Sequence, residues 1–262
     1  MKKFHKISIS SVLSTVMVIG FILVPLSQLI LGSSVNELLE TIMDPDVRAA
    51  ISRSMLCSGA AALISFTIGT PFAFMLARKD FKGKALVESI IDMPIMIPHP
   101  VIGIALLSIA GRNHWIGQML LDAGIRIMGT NTGIVAVLVF VGLPFYLNAA
   151  RDGFEAVPER LEKAARTLGA SPTQTFFRVT LPLAWRSLLT GMIMCMARAL
   201  SEFGAVVIVA YHPMIAPVLM YERFTAYGLS YSRPVAIWLI FLSLVLFAVL
   251  RLLSRGLGSR ES

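Results

Sequence analysis

Ionisable side chains are sparse in this chain, and two apolar stretches hold them at spacings that carry chemistry. In "ARALSEFGAVVIVA", Arg198, Ser201, Glu202 and Ala205 recur at i, i+3, i+4 and i+7, so a helix would set them on one face. Arg198 lies about 16 residues past Pro182, ~24 Å along a helix and deep in an apolar run. Ionisable groups at that depth are costly unless they face a protein interior and pair, so the chemistry on offer is electrostatic. In "DMPIMIPHPVIG", His99 stands between Pro98 and Pro100, where an imidazole titrates, gates a path or is simply packed at an interface. Covalent chemistry has no comparable support. No Ser-His, Asp-Asp or His-Glu-x-x-His grouping occurs at usable spacing, so no catalytic residue and no metal site is assigned. Cys57 and Cys195 sit inside apolar runs, fit neither a disulfide framework nor a metal-ligand spacing, and read as small packing residues. The chain has no G-x-x-x-x-G-K-[ST] loop, so it is not expected to hydrolyse ATP or to bind a cofactor itself.

The elements that must position these groups are membrane helices. With 262 residues, 56% hydrophobic, 15% charged and a mean hydropathy of +0.78, the chain is too apolar for a soluble domain. Runs long enough to cross a bilayer, which takes about 20 residues, fall at 7–32, 47–77, 86–110, 131–150, 183–210 and 232–253. The expected fold is all-α, a polytopic protein with six transmembrane helices in a single domain over 1–262. The opening "MKKFHK" with its apolar sequel imitates a cleavable signal, but the run outlasts a signal-sized apolar region. In the second span Ala61, Ser65, Gly69, Ala73 and Ala77 put a small residue at every fourth position. That predicts a packing seam, because helices in lipid associate where backbones approach closely. The alternative, Ser65 and Thr67 lining a pore, is weaker, since hydroxyls in spans usually bond back to their own helix. In the third span Pro94, Pro98 and Pro100 each remove a backbone donor, so no regular helix runs through it. The freed carbonyls then belong either to a pathway-lining cavity or to an irregular start at the interface.

Lys and Arg are retained on the cytoplasmic side of a membrane. With the N-terminus inside, "MKKFHK", "RKDFKGK", the loop 151–186 and "RLLSRGLGSRES" hold 16 of the 23 basic residues. The outer loops hold Arg48, Arg53, Arg112, Arg126, Arg223 and Arg233. Both termini are therefore expected in the cytoplasm, with the protein multi-pass in the cell membrane. The formal charge of +8 follows from this topology and is no nucleic-acid surface, so membrane lipid is a partner and nucleic acid is not. The first outer loop, "GSSVNELLETIMDPD", is acidic and helix-like and is expected to lie along the outer surface. His114 and Trp115 in "GRNHWIGQML", with Tyr211 and His212 in "YHPMIAPVLMYERF", suit interface anchoring.

The loop 151–182 contains one complete short helix. In "VPERLEKAARTLGASP", Pro158 suits a first turn, Glu159 and Glu162 complement the positive N-terminal end, Lys163 and Arg166 the negative end, and Gly169 the position just past it. Leu161, Ala164, Ala165 and Leu168 form one apolar face with small residues at its centre. Ser171, Pro172 and Gln174 then make a capping-box opening for a second short helix. At about 12 residues and ~18 Å the first helix is too short to span a bilayer. Its charges keep it out of lipid, so it is either a plain amphipathic surface helix or one built to dock.

Resemblance separates those readings. The segment resembles the EAA loop of ABC-transporter permeases, a Glu-Ala-Ala, three residues, Gly, nine residues, a branched aliphatic, one residue and Leu-Pro. Ala164, Ala165, Gly169, Val179, Leu181 and Pro182 fall in that register, whereas Lys163 stands where the family usually has Glu, with Glu162 just before it. "DMPIMIPHPVIGIALL" and "ARALSEFGAVVIVA" resemble the third and fifth spans of permeases for molybdate, tungstate and sulfate, and "YHPMIAPVLMYERFTAYGL" is more similar to the molybdate/tungstate members. The resemblance implies a cytoplasmic coupling helix between the fourth and fifth spans. It would be seated in a cleft of a separate ATPase through Glu159, Leu161, Glu162, Ala164, Ala165, Arg166, Leu168, Gly169 and Ser171. It further implies a second copy of the chain, two ATP-binding cassette subunits that carry ATP and Mg, and an extracytoplasmic substrate-binding protein.

Pro98, His99, Arg198, Ser201 and Glu202 are the candidates for a pathway or gate. Two roles compete for Arg198: stabilising a passing dianion, or pairing with Glu202 as a structural or gating pair. Repulsion between Glu202 and a bound anion favours the pair. A sulfate permease is the nearest alternative. A secondary transporter, which normally places coupling ions at paired broken helices, is disfavoured because only the third span looks broken.

Overall fold

The computed structural model describes residues 9–111 and 113–256, with side chains placed for 12–111 and 113–248. The basic opening "MKKFHK", Arg112 and the tail beyond Gly256 lie outside the described residues. The helices in chain order are α1 Ile9–Leu31, α2 Val35–Met43, α3 Pro45–Arg78, α4 Lys84–Met96, α5 His99–Ala110, α6 Trp115–Asp122 and α7 Asn131–Glu155. They continue with α8 Glu159–Thr167, α9 Pro172–Thr175, α10 Leu181–Leu200, α11 Val206–Val209, α12 Ala216–Tyr227 and α13 Leu229–Gly256. A π-helical turn, Phe176–Thr180, joins α9 to α10. No strand occurs among the described residues.

Five helical stretches are long and apolar enough to cross a membrane, and the α4–α5 pair, bent by 111°, makes up to six. The structure is the all-α arrangement expected, with a difference at one span. The third is broken at its prolines as expected: Pro98 precedes α5, Pro100 lies in its first turn, and Ile97 is extended, as pre-proline sterics require. The fifth begins earlier and ends earlier than 183–210. One apolar helical run extends over Pro172–Leu200, and Ser201 caps it. The second short helix after Ser171 is thus the start of that span.

The centre of the bundle is α3, α7 and α10. The small-residue stripe of α3 is buried at Ala61, Ser65, Gly69 and Ala73. A Cβ on Gly69 would stand 2.8 Å from the Tyr146 ring, so the missing side chain of α3 makes room for a tyrosine of α7. One turn away along α7, a Cβ on Gly142 would lie 2.6 Å from Cys195 Sγ, and Cys57 and Cys195 are both free thiols in the core. Ser65 accepts from Cys195 Sγ at 3.5 Å, and Thr67 bonds back to Leu63 O at 2.8 Å. The seam reading therefore stands over the pore reading. By contrast α1 and most of α13 keep their apolar side chains exposed, on the periphery.

The loops sort to two ends. One gathers α2, α12 and the turn before α12: Arg223 pairs with Asp44 at 2.6 Å, Trp238 donates to Leu38 O at 2.9 Å, and Ser54 Oγ accepts from Ala216 N at 2.8 Å. Burial opposes ionisation of Asp44, but the hydrogen bond and charge of Arg223 outweigh it and hold the carboxyl below its ordinary range. The other end gathers α8, the π-turn and the start of α4, where Arg151 meets Glu88 at 3.2 Å. This sorting matches the alternation of loops expected from six spans.

Candidate functional site

At the second end, α8 is a short rod whose C-terminus is closed by local bonding. Pro158 occupies the N-cap rather than the first turn. At the other end Ala170 N donates to Ala165 O at 3.0 Å and Gly169 N to Arg166 O at 3.0 Å, with Gly169 at φ +91°. That double closure is a Schellman motif, and its left-handed residue favours glycine. Ser171 and Gln174 form the capping box as expected, with Gln174 N donating to Ser171 Oγ at 3.2 Å and Ser171 N to Gln174 Oε1 at 2.9 Å.

The rod's apolar face is open. Leu168 is 89% exposed, Leu161 40%, Ala164 is exposed and Ala165 is half-buried, so the described residues leave most of the stripe uncovered. Arg166 and Glu159 also face solvent, and Lys163 pairs with Glu159 at 3.0 Å. The hydrogen bond and charge of Lys163 hold the Glu159 carboxyl below its ordinary range. Glu162 points the opposite way and is 5% exposed. Its Oε1 accepts from Arg78 Nη2 at 2.8 Å, Arg78 Nε at 3.0 Å and Thr180 Oγ1 at 3.0 Å. Beneath this node Phe74, Phe154 and Phe176 stack edge to face, with centroids 5.4 Å and 4.9 Å from Phe74. The spacing of charges showed that Glu162 suits the helix start. It did not show that Glu162 turns inward while Lys163 turns out.

A second charged group forms where the break of the third span meets the end of the fifth. Glu202 is 1% exposed; its Oε2 accepts from Arg198 Nη2 at 2.7 Å and its Oε1 from Ala205 N at 2.9 Å. Arg198 also bonds His99 Nε2, which lies 3.8 Å from Glu202 Oε2 on a side chain that is 44% exposed. Because α10 stops at Leu200, Glu202 and Ala205 do not continue its face. Glu202 reaches Arg198 from the irregular segment 201–205, and Ser201 Oγ bonds Arg198 O at 3.0 Å instead of joining the pair. Two glycines bring these segments together: a Cβ on Gly204 would be 3.0 Å from His99 Cβ, and one on Gly103 would be 2.8 Å from Ala205 O. Pro98 sets the turn into α5 without touching the charges. Among the described residues the α4–α5 pair is the one broken span, as expected, while the fifth span is a complete helix that ends at Leu200 and is followed by the irregular segment 201–205.

Three polar contacts were missed from sequence. Arg78 and Thr180 hold Glu162 from 84 and 18 residues away, and no spacing rule reaches so far. Asn148 Nδ2 donates to Asp92 Oδ1 at 2.7 Å, pinning α4 to α7. Asp92, a carboxylate opening an apolar run, was the available signal.

Comparison with known proteins gives a consistent result. The profile of the family described as binding-protein-dependent transport system inner membrane component matches residues 69–259. A molybdate/tungstate transport system permease protein of Thermococcus kodakarensis is 46% identical over 235 residues, covering 89% of this chain and 90% of the relative. A sulfate transport system permease protein of Synechocystis is 29% identical over 259 residues, covering 96% and 91%. Among solved structures, a chain of a bacterial ABC transporter involved in import of the acidic polysaccharide alginate superposes with a TM-score of 0.76 at 17% identity, covering 95% of each chain.

Proposed function

The chain belongs to the family of binding-protein-dependent transport inner membrane components, and from that premise we propose that it is the permease subunit of an ATP-driven importer of molybdate and tungstate. The observation that carries this reading is its similarity to a molybdate/tungstate permease along nearly the whole of both chains, well above its similarity to a sulfate permease of like coverage. In the proposed complex two copies pair across a two-fold axis, each seating its rod in one ATPase subunit. The ATPases bind ATP and Mg; the end that carries α2, α6 and α12 faces outward and receives the substrate-binding protein. Both chain termini lie in the cytoplasm.

The rod supports the coupling role. Its C-terminal end is closed by two backbone bonds, its Leu161 and Leu168 side chains are uncovered, and the small residues Ala164 and Ala165 would admit a partner's backbone closely. Closure of the ATPase dimer would push such a body without melting it. The Arg198, Glu202 and His99 group supports a gate where the break of the third span meets the end of the fifth. Its carboxylate is buried behind two basic side chains, so a passing dianion would meet Arg198 and His99 first, and the pair would release it by closing again. A tight fixed anion site is disfavoured by the adjacent Glu202.

The test is to copurify the chain with its ATPase, reconstitute the complex with the binding protein in vesicles, and measure competition among molybdate, tungstate and sulfate for uptake. ATP-dependent uptake that molybdate and tungstate outcompete is expected. Uptake independent of ATP would overturn the importer reading, and preference for sulfate would overturn the substrate.

A further inference from the structure

We propose that Arg78, Glu162 and Thr180 form a latch that converts displacement of the rod into joint movement of two spans, which makes them positioning residues for coupling. The proposal rests on the permease reading above and adds the part inside this chain that the ATPase would drive. Apart from the latch, α8 is joined by a turn at each end and packs edge-on against α9 and the π-turn, while Leu161 and Leu168 stay exposed. A short helix held by turns and a small packed edge can swing, which transmits force poorly. Glu162 supplies the missing rigidity, since one carboxylate oxygen takes bonds from α3 and from the π-turn together. Arg78 extends the network by donating to Val157 O at 2.9 Å, so the turn before the rod is tied to the same guanidinium.

Three features make this more than a stabilising contact. Charge-assisted, nearly water-free hydrogen bonds are directional, whereas apolar contacts let helices slide. The latch grips α3 at its last residue, Arg78, and the fifth span at Thr180, the last residue of the π-turn and the one before α10. Thr180 lies in the π-turn, the irregular point at which a helical run most readily changes register. From there α10 runs unbroken to Arg198 in the charged group near His99, about 18 residues or ~27 Å away. The latch and the proposed gate are thus the two ends of one helix. The outward-facing Lys163 takes no part, which is consistent with a cation being tolerated beside the buried carboxylate.

The experiment uses the reconstituted complex of permease, ATPase and binding protein, with molybdate uptake and ATP hydrolysis measured on the same vesicles. If the unaltered complex shows no ATP-dependent uptake, the permease reading fails, and the latch's transport role with it. Otherwise the informative variant is Arg78→Met combined with Glu162→Leu, which removes both charges and leaves none buried alone. Retained assembly and hydrolysis, with ATP consumed per molybdate raised at least about fivefold, is expected, at the lower end of coupling between distant sites. Thr180→Val, which keeps the side-chain shape, should raise the ratio in the same direction, and Thr180→Ser should restore it. A merely structural role would lower uptake and hydrolysis together and leave the ratio alone. If the double variant fails to assemble, the Thr180 pair decides the matter. An unchanged ratio in an assembled double variant, or in Thr180→Val, would overturn the latch.

Discussion

Arg78 with Glu162 and Arg198 with Glu202 are the same two side chains in contact, at 2.8 Å and 2.7 Å, yet the two groups are built for different ends. The first joins elements 84 residues apart, buries Glu162 with Arg78 largely covered, and engages a threonine hydroxyl as well. The second joins residues four apart across the end of a helix, and its third member, His99, is open on one side. Saturated, buried bonding resists rearrangement, because any broken bond leaves a buried polar group without a partner. A group with one open side can trade a protein partner for water or a ligand at lower cost. The same chemistry would therefore serve as a joint near the rod and as a movable contact near His99.

The largest effect should come from attacking the rod's outer face. Ala165→Asp puts a charge beside the uncovered stripe while leaving the latch in place, and we expect loss of ATPase copurification and of uptake. A normal complex with normal coupling would remove the docking role. Next in size is Arg198→Ala at the movable group, which should cut molybdate uptake about tenfold or more, equivalent to ~1.4 kcal/mol in barrier height, while the ranking of molybdate, tungstate and sulfate stays the same. A changed ranking in a well-assembled complex would make Arg198 a selectivity residue and erase the distinction drawn above.

A third Arg–carboxylate contact, Asp44 with Arg223, calibrates both, since it is part-exposed and should be worth under about 1 kcal/mol after screening. Asp44 has a lowered folded-state pKa, so its contribution is present above the ordinary aspartate range and is lost as pH falls through the depressed value. Thermal melting of the detergent-solubilised protein between about pH 6 and pH 3 should therefore lose that increment in wild type and not in Asp44→Asn. Smallest of all, Lys163→Glu should leave melting and the ATP-to-molybdate ratio unchanged, because Lys163 meets only Glu159 at the surface. A marked change in either would mean that position 163, and not 162, carries the coupling charge.

What could be read from the sequence here was set by neighbours. The Ser171–Gln174 box and the Gly169 closure depend on residues within five positions, and they formed as read. The α3 stripe and the proline break before His99 were legible for the same reason, since helical period and pre-proline sterics are local. The stop of α10 at Leu200 was not, because "FGAVVIVA" remains as apolar as a continuing span. There the chain leaves the helix where Glu202 turns back onto Arg198 and Gly204 meets His99 and Pro100. Which of Glu162 and Lys163 faces inward was likewise settled by Arg78 and Thr180, brought close only when α3, α8 and the π-turn assemble. Apolar periodicity, caps and prolines act over a helical turn and so are written in order along the chain. A buried charge is stable only beside a partner, and the partner's distance is fixed by the fold as a whole.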